Sequence, residues 1–222
     1  MRAAPESSSW TCIRRRGALA RELGEDVVFL RGDVSDRAVA DRAVATAVEH
    51  FGKLDVLVNN AIASRQKPFE EHTDDDWHLA MDTGLSATRN FMLAALPELK
   101  KTGNASVINF SSGAGLLGQA TQASYAAAKE AIRGLSRVVS NEWAPLNIRV
   151  NVVCPMALTE GVSKWAEAWP EAYAQAVAAI PLGRFGDPDR DVAPVVAFLA
   201  SNDAQYMTGQ TLMAEGGSVN LH

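Results

Sequence analysis

The sequence predicts one α/β domain built on a doubly wound parallel sheet. Its apolar runs are short and do not alternate with polar residues, and segments of helical period separate them. No internal repeat and no linker rich in Pro or Gly divides the 222 residues. Strands buried on both faces read as continuous apolar runs, and their alternation with helices is typical of a parallel sheet covered on both sides.

The first half of the chain is predicted to start irregularly and then to alternate helices with two strands. Ser35 or Asp36 is suited to cap a helix, while Gly24 and Gly52 are plausible helix ends. The predicted elements are an irregular segment over 1–13, a helix over 14–23, a strand over 27–31, a helix ending at Gly52, a strand over 54–58 and a helical stretch over 70–99 interrupted at Gly84 and Pro97.

The second half is predicted to add three strands to the sheet. Ser111 and Ser112 close the first of them, and Pro145 stops the long helix that follows. The predicted elements are a strand over 107–110, a glycine-rich loop over 113–118, a helix over 123–143, a strand over 148–153, a helical insertion over 159–179, a helix over 189–200 and a strand over 211–214.

Composition excludes several classes of protein. Two cysteines, Cys12 and Cys154, do not make a disulfide framework, and they favour a cytoplasmic location. The four histidines have no ligand spacing with these cysteines, so we expect no metal site. A net charge of −5 disfavours nucleic acid as a partner, and no apolar run approaches the roughly 20 residues that span a bilayer, so we expect no membrane partner.

Tyr125 and Lys129 are the first candidates for chemistry. They lie four residues apart on a predicted helix and so share a face. A lysine cation near a phenol lowers the phenol's pKa and makes the tyrosine a credible general acid or base. Ser112 ends a predicted strand, at the sheet edge where ligands bind in open α/β folds. Taken alone, a Tyr/Lys pair at this spacing more often lies on a solvent-exposed helix face.

The sequence around this pair resembles the catalytic half of the short-chain dehydrogenase/reductase family. The spacing of Ser112, Tyr125 and Lys129 matches the family's catalytic pattern, in the context SSGAGLLGQATQASYAAAKEAIRGLSRVVSNEWAPLNIRVNVVCP. Asn59–Asn60–Ala61 resembles its Asn-Asn-Ala-Gly motif, and Gly32–Val34 resembles its adenine-contacting segment. The segment PLGRFGDPDRDVAPVVAFLASNDAQYMTGQTLMAEGG resembles its C-terminal part, so the resemblance covers residues 17–219.

This resemblance implies a Rossmann-like fold and an NAD(P)-dependent oxidoreductase that interconverts a ketone and a secondary alcohol. Tyr125 would be the proton donor, Ser112 would polarise the substrate oxygen, and Lys129 would lower the tyrosine pKa and hold the nicotinamide ribose. The residues that would contact the cofactor are Asp33, Val34, Asn59, Ala61, Lys129 and Thr159. Residues 158–180 would form the substrate lid. Long-helix pairing would give a homodimer or homotetramer.

The sequence departs from the family pattern at four places. No Thr-Gly-x-x-x-Gly-x-Gly turn precedes Gly17, so we expect a sheet missing its first strand-turn-helix unit. Gly84 stands where the family has an asparagine that holds a water of the proton relay, so Gly84→Asn is expected to raise activity. Ile62 replaces the last glycine of the Asn-Asn-Ala-Gly motif, and Met156 replaces a glycine beside the expected nicotinamide.

Several alternatives stay open at this stage. Residues 10–13 could form a strand, which would place Arg14–Arg16 where a 2′-phosphate is read and favour NADP over NAD, although such basic residues are usually just solvated. Trp165 and Trp169 suggest an apolar substrate or simply pack the lid. The four departures also suit a non-redox or non-catalytic homologue, or a truncated gene product.

Overall fold

The computed structural model describes residues 22–24 and 26–219. Within these residues, four strands form one parallel sheet in the order β1-β2-β3-β4. They are β1 (Val56–Asn59), β2 (Ala105–Phe110), β3 (Ile148–Pro155) and β4 (Thr211–Ala214). The parallel α/β architecture predicted from the apolar runs is confirmed.

The helices connect these strands. They are α1 (Arg37–Phe51), α2 (Asp74–Met81), α3 (Ala87–Thr102), α4 (Gly113–Leu117), α5 (Ala123–Trp143), α6 (Glu160–Ala168), α7 (Pro170–Ala178) and α8 (Ala193–Ala200). A π-helical turn, Asp82–Ser86, joins α2 to α3, and a second one, Pro188–Val192, leads into α8. The side chain of Asp36 caps α1 by accepting from the N–H of Ala38, and Gly52 ends it in the left-handed conformation, as predicted.

Helices cover both faces of the sheet, which is why apolar residues predominate in its strands. On one face, α3 and α5 pack on Val107 and Val150. On the other, α8 packs on Ile108 and Val153 through Leu199. β2 and β3 are buried along nearly their whole length, so successive residues of each strand serve opposite cores.

Three local predictions are wrong. Residues 27–31 form no strand, and Val27, Val28, Phe29 and Leu30 are 37–41% exposed. A β-branched run needs a neighbouring strand to complete its hydrogen-bond ladder, and none of the described strands pairs with it. Pro97 lies inside α3 without interrupting it.

The third correction concerns the predicted glycine-rich loop over 113–118. Residues 113–117 instead form the short helix α4, because the Ser112 side chain caps the N–H of Ala114 and Gly118 ends the helix at a φ of +61°.

The insertion predicted as a lid forms two helices, α6 and α7, with no buried residue in either. Tyr173 of α7 stacks on Phe185 at a centroid distance of 5.3 Å and meets Trp165 edge-on at 6.0 Å. Trp169, at the corner between the helices, is 65% exposed.

Some predictions made from the sequence concern residues that the structure does not describe. The irregular segment over 1–13, the strand over 10–13 and most of the helix over 14–23 lie outside the described residues. Across the part of the chain that is described, no helix is long and apolar enough to cross a membrane. The same part holds no group of three or more His, Cys, Asp or Glu side chains that could bind a metal ion.

Candidate active site

The carboxyl ends of β1 and β2 lie side by side and form the floor of the candidate site. Because the strands are parallel, Asn59 at the end of β1 is in register with Asn109 near the end of β2. Ser111 and Ser112 follow β2 at the same edge. This is the edge at which ligands bind in open α/β sheets.

Ser112, Tyr125 and Lys129 come together at this edge. The Ser112 side chain lies close enough to Tyr125 to lower the pKa of its phenol. Ser112 is held in place by capping α4, whose Ala114 N–H donates to its Oγ at 3.1 Å. One turn along α5, the Lys129 Nζ lies 5.7 Å from the centroid of the Tyr125 ring. A hydroxyl, a phenol and an ammonium thus face one small region.

Burial raises the pKa of the Tyr125 phenol, and the Ser112 side chain offsets this only in part. The net direction is opposite to the lowering by Lys129 expected from sequence, because the desolvation of the phenol outweighs the interaction that favours its charged form. The Lys129 Nζ itself donates to the backbone carbonyl of Phe110 at 2.8 Å. Tyr125 is therefore protonated near neutral pH, as a proton donor must be.

Lys129 is a charged group in an apolar setting. It is 3% exposed, and burial lowers the pKa of its ammonium to about 8. Its backbone carbonyl accepts a hydrogen bond of 2.8 Å from the Ser111 hydroxyl, which fixes this turn of α5 against the end of β2. Within the described residues its ammonium donates one hydrogen bond, so two of its three N–H groups remain for a ligand.

Most of the predicted cofactor residues gather at the end of β1. Val34, Asn59 and Ala61 line a cavity of about 130 Å³. Asp33, directly before Val34, is exposed, and its carboxylate accepts from the N–H and the hydroxyl of Ser35. Ligand pockets for drug-sized molecules measure about 300–1,000 Å³. This cavity is therefore sized for one ring of a dinucleotide, with amide and apolar groups suited to a purine or ribose.

Thr159 stands apart from the other predicted residues. It caps α6 by accepting from the N–H of Val162 at 3.4 Å. No hydrogen bond within residues 22–24 and 26–219 links it to the catalytic group or to the cavity at β1.

Asn109 is the site residue that sequence reasoning missed. It is fully buried, its Oδ1 accepts from Asn59 Nδ2 at 2.8 Å, and its own Nδ2 donates to Ser136 Oγ at 2.9 Å. The signal was an amide inside the apolar run of β2, because a buried polar group must find a hydrogen-bond partner.

Two departures from the family pattern, Ile62 and Gly84, prove to be in contact. A Cβ added at Gly84 would lie 2.9 Å from Cδ1 of Ile62 and 3.5 Å from Cβ of Ala128. Gly84 sits in the π-helical turn that faces α5, so the Ile62 side chain fills the space that a side chain at position 84 would need. The third substitution, Met156, lies directly after β3, and its N–H donates to the carbonyl of Ala214.

Comparison with known proteins agrees with this geometry. A family model described as enoyl-(acyl carrier protein) reductase matches residues 13–219. A 12alpha-hydroxysteroid dehydrogenase from a Clostridium species is 47% identical over 204 residues, which cover 90% of this chain and 78% of the relative. The 3-oxoacyl-(acyl-carrier-protein) reductase FabG of Thermotoga maritima is 37% identical over 188 residues, covering 84% of this chain and 75% of the relative.

A solved structure shares the same fold. A chain described as a short-chain alcohol dehydrogenase from Sinorhizobium meliloti 1021 superimposes with a TM-score of 0.80 at 29% identity, covering 85% of this chain and 75% of that one. The chain thus spans about three quarters of the length of these proteins.

The first prediction concerns the buried charge of Lys129. Since its pKa is lower in the folded chain than in the unfolded one, charging it costs stability, in full below pH 8 and progressively less as the pH rises from 8 towards 10.5. Lys129→Met should therefore increase the free energy of unfolding at pH 7 by about 1–3 kcal/mol. The loss of the hydrogen bond from Lys129 to the Phe110 carbonyl reduces this gain. Urea unfolding at pH 7 and pH 9.5 measures this.

The matched control for that experiment is Lys101→Met, because the Lys101 side chain is 68% exposed. It should change stability little at either pH. A Lys129→Met variant that is less stable than the parent at pH 7, or a difference that does not shrink at high pH, would contradict the expectation.

The second prediction revises Gly84→Asn. With Ile62 in place, the new side chain is overpacked, and we expect a loss of about 1–3 kcal/mol and lower activity. The double variant Ile62→Gly with Gly84→Asn should recover part of both, which thermal unfolding and turnover would show. Gly134→Asn, where an added Cβ would meet nothing within 4 Å, is the control for asparagine in a helix. If Gly84→Asn has the same effect on stability and turnover with Ile62 as with Ile62→Gly, the contact between positions 62 and 84 is not the cause.

Proposed function

The chain belongs to the short-chain dehydrogenase/reductase family, and on this premise we propose that Ser112, Tyr125 and Lys129 are its catalytic residues. The protein is an NAD(P)-dependent oxidoreductase that interconverts a ketone and a secondary alcohol. The observation that carries the assignment is their convergence, with the Ser112 side chain close enough to lower the pKa of Tyr125 and the Lys129 Nζ 5.7 Å from the centroid of the Tyr125 ring. The non-redox and non-catalytic alternatives have no support in the comparisons.

Each of the three residues has a distinct task. In the reductive direction the Tyr125 hydroxyl gives its proton to the substrate oxygen, and in the oxidative direction the phenolate takes it back. The Ser112 hydroxyl donates a hydrogen bond to the same oxygen and stabilises the charge that develops there. The Lys129 ammonium stabilises the phenolate that remains after proton transfer, at an electrostatic strength increased by its burial.

The nicotinamide nucleotide, when bound, supplies or accepts the hydride. Asn59, Ala61 and Val34 would hold it through the cavity at the end of β1, with Asp33 beside the adenine. Lys129 would bind a ribose hydroxyl with the N–H groups that Phe110 leaves available. Thr159, at the start of the lid, would contact the carboxamide or the phosphates.

The substrate we propose is a bulky alicyclic alcohol or ketone of the hydroxysteroid type. The 47% identity to the 12alpha-hydroxysteroid dehydrogenase supports this class. Residues 158–180 would close over it as the lid, and the aromatic surface of Trp169, 65% exposed at the corner of α6 and α7, would meet its apolar face. Trp165 would instead stabilise the lid itself, because its ring packs on Tyr173.

Three further expectations accompany this proposal. We propose a homodimer or homotetramer through α3 and α5, where Leu93 and Val138 are 47% and 56% exposed. The whole chain would act as one domain. The cytoplasmic location inferred from the cysteine count stays a prediction.

The third prediction tests the proton donor. Tyr125→Phe removes the phenolic hydroxyl and should lower kcat/KM by about 10²–10⁴, since that is the typical contribution of a positioned acid. The loss of one phenolic hydroxyl should cost at most about 0.5–1.5 kcal/mol of stability, the net contribution of a typical hydrogen bond. The assay follows the absorbance of the reduced nicotinamide with cyclic ketones, and Tyr173→Phe in the lid is the control. Turnover retained in Tyr125→Phe would remove Tyr125 from this role.

The fourth prediction concerns the nucleotide, for which we propose NADP. Its support is the basic run Arg14–Arg16 at the opening of a predicted helix. We expect kcat/KM to be higher for NADP⁺ than for NAD⁺. Replacing the three arginines by alanine should lower the NADP⁺ value about tenfold, or ~1.4 kcal/mol, and leave that for NAD⁺ unchanged. Arg37→Ala, at an exposed position in the first turn of α1, is the control. A parent enzyme that prefers NAD⁺ would refute the proposal.

A further inference from the structure

The segment between β1 and α2 includes nine residues without secondary structure, residues 60–68, here called the β1–α2 loop. Its first residues, Asn60 and Ala61, line the cavity proposed for the cofactor. Its far end carries two basic residues, Arg65 and Lys67, that converge on one buried carboxylate. That carboxylate belongs to Asp76, in the first turn of α2.

Asp76 is 1% exposed and accepts four hydrogen bonds. Oδ1 accepts from Arg65 Nη1 at 2.9 Å, and Oδ2 accepts from Lys67 Nζ at 2.7 Å. Oδ2 also accepts from the backbone N–H and the hydroxyl of Thr73 at 3.0 and 2.9 Å. These contacts hold the pKa of the carboxyl far below its usual range, so Asp76 is ionised at any pH at which the protein works.

Helix capping explains only part of this arrangement. Thr73 and Asp76 form a capping box, in which the Thr73 N–H donates to Asp76 Oδ2 and the Asp76 N–H donates to Thr73 Oγ1, and such a box tolerates an exposed carboxylate. Burying the carboxylate under Arg65 and Lys67 adds a desolvation cost, and isolated ion pairs contribute little to stability. What the additional contacts do is fix the far end of the β1–α2 loop.

The fixed end of the loop contacts the segment that precedes α5, the helix that carries Tyr125 and Lys129. The N–H of Lys67 donates to the carbonyl of Thr121 at 2.9 Å. Thr121 lies four residues before Tyr125, on the segment that joins Ser112 to Tyr125, and it has a φ of +68°, which is rare for a β-branched residue. A second tie, from the Ala63 N–H to Thr83 Oγ1 at 2.9 Å, holds the middle of the loop.

We propose that Asp76 is a positioning residue that, through Arg65 and Lys67, fixes the β1–α2 loop against Thr121 and so builds one wall of the substrate cleft beside Tyr125. The inference rests on the proposed function of Ser112, Tyr125 and Lys129. Asp76 contacts none of those three, so it acts on substrate binding and leaves the reacting groups in place.

The fifth prediction follows from this separation. Asp76→Asn keeps the size of the side chain and removes the charge that holds both cations. It should raise the KM for the ketone about fivefold or more, with kcat within about twofold of the parent and the KM for the nucleotide unchanged. Asp75→Asn is the matched control, because Asp75 lies in the same helical turn and is exposed. The kinetics are measured well below the melting temperature of every variant.

A second readout does not depend on activity. Trypsin cleaves after Arg65 if the β1–α2 loop is released from Asp76, whereas the bond after Lys67 is protected by Pro68. Limited proteolysis followed by mass spectrometry should show faster cleavage after Arg65 in Asp76→Asn and parental rates in Asp75→Asn. Should Asp76→Asn fail to fold, Lys67→Met keeps the capping box and is expected to give the same two changes.

The outcomes separate the proposals. A raised KM together with faster cleavage supports the positioning role. An unchanged KM in an active Asp76→Asn enzyme overturns it, whatever the proteolysis shows, and so does a fall in kcat at constant KM. A parent protein without turnover refutes the proposed function instead. In that case unchanged cleavage after Arg65 still refutes the fixing of the β1–α2 loop by Asp76, and faster cleavage still supports it.

Discussion

The buried amide of Asn109 is the interaction on which the site depends. It accepts from Asn59 at the end of β1 and donates to Ser136 on α5, so it joins the strand that lines the cavity proposed for the cofactor to the helix that carries Tyr125 and Lys129. The bond to Ser136 is buried and the bond to Asn59 is partly buried, and a buried amide left unpaired costs about 1–3 kcal/mol. The two halves of the site are therefore held at a fixed separation by a residue that takes no part in the chemistry.

The catalytic role proposed for Lys129 works against the stability of the fold. Lys129 is placed in a desolvated environment, where its charge is expensive and its pKa falls to about 8. The same desolvation strengthens the field that Lys129 exerts on a neighbouring phenolate. It also raises the pKa of Tyr125, so the structure keeps a proton on the phenol until a substrate oxygen can take it. Burial thus shifts both pKa values towards the uncharged form of each group.

The sequence alone predicted the features that depend on local pattern. Apolar periodicity identified the parallel sheet and α5, and the spacing of Ser112, Tyr125 and Lys129 identified the residues that the fold brings together. Patterns of this kind are readable because side chains one helical turn apart, or at the end of a strand, have fixed relative positions. The strand over 27–31 failed for the complementary reason, because strand formation requires a partner that the segment itself does not specify.

Only the tertiary structure decided how distant positions act on each other. Ile62 and Gly84 looked like two separate departures, yet one side chain fills the space next to the other's backbone. Nothing in the sequence pattern singled out Asp76, yet it binds two cations from a loop about ten residues away. The sequence by itself determined the fold class and the catalytic candidates, because both follow from local spacing. Contacts between segments depend on packing in three dimensions. Only the tertiary structure therefore shows the ion pairs of Asp76, the Ile62 side chain beside Gly84 and the raised pKa of Tyr125.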